Sequence, residues 1–191
     1  MPIKKILGLT IAFALAIGMT GIGTWAYFQD TETSTGNVLA AGTLDLKTND
    51  VDGVTQTLYA TNLKPGDNVS GSVILKNSGS IAAASLNLAF DYAGSDSSPN
   101  PLNMSANATA AVMEVTTLSY GGTSLLASVS DSNTNGYKDI QDLKSASLTG
   151  LSGINPLGTK NFTITVQLRT GISGDFQADG ITVAITFILN Q

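Results

Sequence analysis

The stretch FTITVQLR, residues 162–169, alternates apolar and polar side chains without interruption. The apolar positions are Phe162, Ile164, Val166 and Leu168. The polar positions between them are Thr163, Thr165, Gln167 and Arg169. Because successive side chains of a β-strand point to opposite faces, this period of two predicts a strand with one buried face.

The same alternation recurs in ASLNLAFDY, residues 84–92, and in GITVAITFILN, residues 180–190. Further strands are predicted at Gly42–Thr48, Val54–Ala60, Ser70–Lys76 and Met113–Tyr120. Turn-forming residues separate them at 62–68, 76–80, 120–122 and 173–175. Many strands at short spacing predict an all-β protein, an antiparallel sandwich or jelly roll.

Two segments depart from the strand pattern and predict short helical excursions. Residues 95–112 carry prolines and then alanines, which indicates either a short helix or a long surface loop. Residues 140–145 fit one helical turn. Asn49–Gly53, sequence NDVDG, is typical of a hairpin turn rather than of a set of metal ligands.

Composition excludes several classes of enzyme. The 191 residues contain no Cys and no His. A Ser-His-Asp triad, a cysteine nucleophile and an HExxH zinc site each need a side chain that this chain lacks. The net charge is −5, and loss of Lys4 and Lys5 with a leader would make it more negative. Such a surface disfavours phosphate backbones, so nucleic acid is not an expected partner.

The first 26 residues predict export. Lys4 and Lys5 precede a long apolar run from Ile6, and small residues lead to Ala26. This three-part pattern is that of a signal peptide, with signal peptidase cutting after Ala26 and the membrane met only during export. Two alternatives remain open: a retained membrane anchor, and a pilin-type leader cut before the apolar run. An exported chain without Cys gains its stability without disulfides.

The stretch DSNTNGYKDIQD, residues 131–142, has the oxygen spacing of a calcium loop, with Gly136 at the sharp turn. The predicted ligands are Asp131, Asn133, Asn135, the main-chain carbonyl of Tyr137, Asp139 and Asp142. Asp142 replaces the usual Glu, and Lys138 replaces an apolar residue, which weakens the expected affinity. The alternative is that these residues form turns, with Asp139 capping a helical turn. A bound Ca²⁺ would be structural, since it would relieve repulsion between aspartates.

Several motifs together resemble the TasA and camelysin family. They are GTWAYFQD at 23–30, GTLDLK at 42–47, NLKPGD at 62–67, KNSGS at 76–80, EVTTLSYGG at 114–122 and FQADGITVAITFILNQ at 176–191. The resemblance implies a secreted jelly-roll subunit that assembles into extracellular fibres of biofilm matrix. Similar archaeal subunits form bundling pili. Some members carry a metallopeptidase label, which the absence of His argues against here.

In the family that this chain resembles, each subunit donates its mature N-terminal segment as a strand to a neighbour. Residues 27–37, sequence YFQDTETSTGN, suit this role because alternating threonines favour extended backbone. The candidate donor-strand residues are Tyr27, Phe28, Thr31, Thr33, Thr35 and Val38. The alternative is a disordered tail. Donation is head-to-tail, so it would produce an open homopolymer, with or without bundling.

Two further functions stay open. One is a monomeric, calcium-stabilised cell-surface or adhesive domain, and the other is a secreted metallopeptidase. Four Asn-x-Ser/Thr sequons are candidate N-glycosylation sites in an extracellular protein: Asn68, Asn103, Asn107 and Asn161. About as many sequons arise by chance in a chain this rich in Asn, Ser and Thr.

Overall fold

A computed structural model describes residues 43–53, 55–60, 63–95, 102–176 and 179–191. The strands are β1 (Leu46–Thr48), β2 (Val51–Asp52), β3 (Thr55–Ala60), β4 (Asn68–Asn77), β5 (Ser85–Gly94), β6 (Met113–Tyr120), β7 (Thr123–Ser124), β8 (Leu148–Ser152), β9 (Thr159–Leu168) and β10 (Ile181–Asn190). The helices are α1 (Ala106–Val112) and α2 (Ile140–Ser145), with 3₁₀ turns at Leu126–Ser128 and Gly174–Phe176. No helix in these ranges is long and apolar enough to cross a bilayer.

The strands form two antiparallel sheets that share one core. One sheet has the order β2-β1-β4-β9-β6-β7, and the other has the order β3-β10-β5-β8. The predicted apolar faces of β9, β5 and β10 are buried between them. The rings of Phe162 and Phe187, from opposite sheets, pack edge to face with centroids 5.2 Å apart. The all-β antiparallel prediction is confirmed, whereas jelly-roll connectivity stays a prediction.

Several element boundaries differ from the sequence prediction. The strand predicted from Gly42 begins at Leu46, and the strand predicted from Ser70 begins two residues earlier, at Asn68. Within residues 95–112 a helix forms at Ala106–Val112, where the Ser105 hydroxyl caps the helix by accepting a hydrogen bond from the Ala108 amide (3.2 Å). The helical turn predicted at residues 140–145 is confirmed as α2.

The NDVDG stretch is a hairpin turn, as predicted. Asn49 and Asp50 have φ of 53° and 60°, the left-handed pair that a two-residue type I′ turn requires. The turn joins β1 to β2, where the ammonium of Lys47 lies 2.7 Å from the carboxylate of Asp52. The carboxylate of Asp50 lies 2.8 Å from the ammonium of Lys76, so each acidic side chain of the turn pairs with a lysine.

The described chain begins alongside the far end of β4. The Ser80 amide donates to the Thr43 carbonyl (2.8 Å), and the Ser78 amide donates to the Asp45 carbonyl (2.7 Å). A Cβ at Gly79 would lie 1.9 Å from the Thr43 oxygen, so only glycine permits this approach. Thr43, the first described residue, therefore lies beside the C-terminal end of β4.

Candidate functional site

The predicted calcium loop, residues 131–142 and hereafter the aspartate loop, ends in a capped helix. The Asp139 carboxylate accepts from the Asp142 amide, and the Asp142 carboxylate accepts from the Asp139 amide, both at 3.1 Å. This reciprocal capping box begins α2. The two residues are 0% and 1% exposed. The helix-cap interpretation of Asp139 is confirmed, and sequence reasoning missed the reciprocal role of Asp142.

The rest of the aspartate loop is held by local hydrogen bonds. The Asp131 carboxylate accepts from the amides of Asn135 (3.2 Å) and Gly136 (2.8 Å). Gly136 has φ of 87°, which confirms the sharp turn expected at this position. The side-chain amides of Asn133 and Asn135 both donate to Asp139 Oδ2, at 2.9 and 2.8 Å.

The predicted ligands carry oxygen atoms, which suits calcium. In the structure, however, the carboxylate oxygens of the loop already accept hydrogen bonds from protein donors. Asp142 Oδ1 accepts from the amide and the hydroxyl of Ser132, both at 2.7 Å. In the described ranges, no three His, Cys, Asp or Glu side chains are grouped so that they could share a metal ion. The Asn133 and Asn135 amides would have to turn their oxygens toward an ion. The calcium ligand set therefore stays a prediction.

The aspartate loop also covers the outer edge of β6. The Val115 amide donates to the Lys138 carbonyl (2.7 Å), and the Leu125 amide donates to the Leu118 carbonyl (2.8 Å). The Lys138 ammonium donates to main-chain carbonyls of residues 126 and 129. β7 pairs with the last two residues of β6. This side of the six-stranded sheet is thus covered by the chain's own loops.

The outer edge of β4 is covered only at one end. β1 pairs with residues 75–77, and Asn49 exchanges hydrogen bonds with the Ile74 carbonyl (2.8 Å) and amide (3.0 Å). Residues 68–73 of β4 pair with β9 on their other side. In the part of the chain that the structure describes, no strand pairs with their outer edge. We call this edge, Asn68–Val73, the open half-edge.

The four sequon asparagines are all exposed, so their predicted glycosylation stays a prediction. Asn68 begins β4, Asn161 lies on the outer face of β9, and the Asn107 side chain on α1 accepts from the Tyr92 hydroxyl (2.8 Å). The candidate donor-strand residues and the predicted leader lie outside the described residues.

Comparison with known proteins gives two findings. The family model described as camelysin metallo-endopeptidase matches residues 2–118. A Bacillus subtilis (strain 168) protein named "Major biofilm matrix component" is 36% identical over 106 residues. That match covers 52% of this chain and 39% of the relative, so this chain spans about two fifths of the relative's length. Because the family model matches more than half of the chain, this protein belongs to the camelysin family.

Proposed function

We propose that this protein is an exported structural subunit of an extracellular biofilm-matrix fibre or pilus, and that it polymerises head-to-tail by strand donation. The observation that carries this proposal is the likeness to a relative named as a biofilm matrix component. The family match begins at residue 2 and so includes the apolar leader and residues 27–37, hereafter the N-terminal segment.

The physical chemistry of strand addition is sufficient for a fibre. A ladder of roughly six to eight main-chain hydrogen bonds contributes on the order of 1 kcal/mol net each. Burial of the Tyr27 and Phe28 rings adds roughly 2 to 3 kcal/mol apiece. Lost freedom on association offsets much of this gain. The remainder holds a chain of subunits together when lateral contacts support it.

Catalysis is not part of the proposal, although the family is named after a peptidase. Metal-dependent peptide hydrolysis needs an ion with an open coordination position and a base for the attacking water. The chain contains no His and no Cys to fill these roles. Purified protein incubated with Zn²⁺ and an unstructured protein substrate should therefore release no fragments above the level of a no-protein blank.

The proposal is tested by removal of the N-terminal segment. We compare, by electron microscopy, secreted protein beginning at Tyr27 with a chain beginning at Val38. The longer chain should form fibres, and the shorter chain should stay folded and monomeric. A third chain, with Tyr27 and Phe28 replaced by Ser, keeps the length and removes the apolar anchors, so it should assemble poorly. Fibres from the chain that begins at Val38 would contradict strand donation.

A further inference from the structure

We propose that a groove beside the aspartate loop binds a neutral saccharide chain. The groove has a volume of about 480 Å³. β6 contributes residues 114–116 to its lining, the first 3₁₀ turn contributes Leu126 and Ala127, and the aspartate loop contributes residues 136–138. The proposal adds a ligand site to the protein and does not depend on how, or whether, the subunits join into fibres.

Hydrogen bonds between the lining segments hold the groove in shape. The Val115 amide donates to the Lys138 carbonyl (2.7 Å), which joins the aspartate loop to β6. The Lys138 ammonium donates to the carbonyls of Leu126 and Val129, which joins the same loop to the 3₁₀ turn. The groove is thus formed before any ligand arrives, so binding would not have to order its main chain. Its volume lies within the range of about 300–1,000 Å³ that is typical of small-ligand clefts.

The Tyr137 ring supplies an aromatic platform at the groove. Tyr137 is 44% exposed. The Arg169 guanidinium carbon lies 4.2 Å from the centroid of this ring, so a cation is stacked on the ring and holds its orientation. The exposed part of the ring remains open to a ligand. A pyranose ring presents C–H groups on one face, and such groups pack well against the negative face of an aromatic ring.

Glu114 lies between the two parts of the chain that carry this stacked pair. It pairs with Gln167 of β9 on one side and with Asp139 of the aspartate loop on the other. The ion pairs found among the described residues include neither Glu114 nor Arg169. The Glu114 carboxylate can therefore accept hydrogen bonds from the hydroxyls of a ligand, and the Arg169 guanidinium can donate to them.

The charges of the groove favour a ligand without net charge. Glu114 and Arg169 have opposite charges, and the Lys138 ammonium already binds two carbonyls. A uronate would be repelled by the Glu114 carboxylate, and an amino sugar would be repelled by the Arg169 guanidinium. A neutral saccharide avoids both costs, since its hydroxyls can bond to either charged group and its C–H face can cover Tyr137.

Hydroxyl groups continue from the groove along the outer face of the six-stranded sheet. A register shift in β6 between Val115 and Thr117 leaves both Thr116 and Thr117 exposed. The Thr116 hydroxyl donates to the Thr165 carbonyl of β9 (3.4 Å). The neighbouring hydroxyl residues of this face are Thr117, Thr163, Thr165, Ser70 and Ser72. A saccharide chain longer than the groove would therefore meet uncharged hydroxyls.

Saturation-transfer difference NMR tests the ligand class, because it detects saccharide contact with free or assembled protein alike. The unmodified secreted protein is mixed in turn with linear oligosaccharides of glucose, galactose, mannose, galacturonate and glucosamine. At least one of the three neutral sugars should receive saturation at its ring C–H protons. No transfer to any neutral sugar would overturn the proposal. Tighter binding of galacturonate or glucosamine than of every neutral sugar would overturn the neutral class.

Variants then test the location of the site with the neutral sugar that binds best. Tyr137→Ala should weaken binding by at least about tenfold, whereas Tyr137→Phe, which keeps the ring, should not. Glu114→Gln should weaken binding by at least about threefold. The matched control is Leu157→Ala, an apolar side chain that is 73% exposed outside the groove lining and should leave binding unchanged.

Urea titration establishes that each variant is folded before its affinity is compared. Unchanged affinity in folded Tyr137→Ala or in folded Glu114→Gln would place the saccharide elsewhere and overturn the site. If Tyr137→Ala does not fold, Glu114→Gln decides the question. Binding by a protein that forms no fibres would contradict the proposed function and leave this site intact, and fibres that bind no neutral sugar would do the reverse.

Discussion

The two strands that flank β9 differ in how much of their outer edge is covered by other parts of the chain. β6 is covered by β7, by the Leu125 amide and by the Lys138 carbonyl of the aspartate loop. β4 is covered by β1 at residues 75–77 and then runs on, without a second partner among the described residues, through Asn68–Val73. The two strands pair with the same central strand, so the difference lies in the loops and not in the sheet.

The comparison shows that closing an edge requires dedicated residues. The cover over β6 uses a loop of 12 residues with two buried carboxylates, a capping box and an ammonium that binds two carbonyls. At the open half-edge the exposed side chains are those of Asn68, Ser70 and Ser72. Because an unpaired strand edge can form hydrogen bonds with another strand, Asn68–Val73 is the more accessible of these two edges among the described residues.

The largest expected effect comes from blocking the open half-edge. Ser72→Pro removes an amide that faces the outer side and leaves the pairing with β9 in place. If the strand donation of the proposed function uses this edge, fibre formation should slow by at least about tenfold. Light scattering and electron microscopy of the mature protein measure this rate.

Ser124→Pro is the matched control for that variant. Ser124 lies on β7, the opposite edge of the same sheet, and the Leu125 amide faces β6, so the Ser124 amide faces outward. This variant should assemble at the rate of the unmodified protein. Equal slowing by both substitutions would mean that proline acts through general destabilisation.

The next expected effect is a loss of stability when the aspartate loop, which covers the outer edge of β6, is altered. The buried Asp142 carboxylate accepts three hydrogen bonds, from the amide and the hydroxyl of Ser132 and from the amide of Asp139. Asp142→Ala leaves these three donors without their acceptor. The free energy of unfolding should fall by about 2–3 kcal/mol in urea titration. The exposed Asp175→Ala should change it by less than about 0.5 kcal/mol. Similar values for both variants would contradict a stabilising role for the capping box.

Calcium removal tests whether this cover depends on an ion. If the predicted ligands bind Ca²⁺ at one hundred times its Kd, binding stabilises the fold by about 2.7 kcal/mol. Chelation with EDTA should then lower Tm by roughly 5–10 °C. Asp131→Ala, which leaves the capping box intact, should remove the difference. Equal thermal unfolding of the natural protein with EDTA and with excess Ca²⁺ would rule out the site.

The smallest effect is a loss of stability in alkali. Burial raises the pKa of Tyr120 to about 12, and its hydroxyl donates to the Ser152 carbonyl (2.9 Å). Between pH 10 and 12 the unfolded chain loses this proton while the folded chain keeps it, so stability falls as pH rises. Urea midpoints measured across this range should decline less in Tyr120→Phe. An unchanged slope in that variant would assign the decline to other groups.

Alternation of apolar residues was enough to predict the strands that bury one face. β9 and β10 lie where their sequences indicated because each apolar position is also a core position. β8, sequence LTGLS, was missed because it is a short edge strand with Gly150 at φ of 67°. Its alternation is too brief to distinguish it from a loop.

The site was only partly predictable. The spacing of the aspartate loop gave the turn at Gly136 and the helix after Asp139. It did not show that Asp142 completes the capping box, because Asp at that position serves as either ligand or cap. The open half-edge has no local signal at all. It arises because β1 pairs with only three residues of β4. Strand pairing of this kind cannot be deduced from the composition of either strand.

The hydrogen bonds of Thr43 and Asp45 also determine how the domain would respond to a pull on its first described residues. A pull on the upstream chain would act along β1, parallel to the strands and perpendicular to the hydrogen bonds that join Thr43, Asp45 and β1 to residues 75–80. These bonds would be loaded together in shear instead of being opened one after another. The hydrogen bonds that hold the first described segment of the domain would thus resist such a pull together.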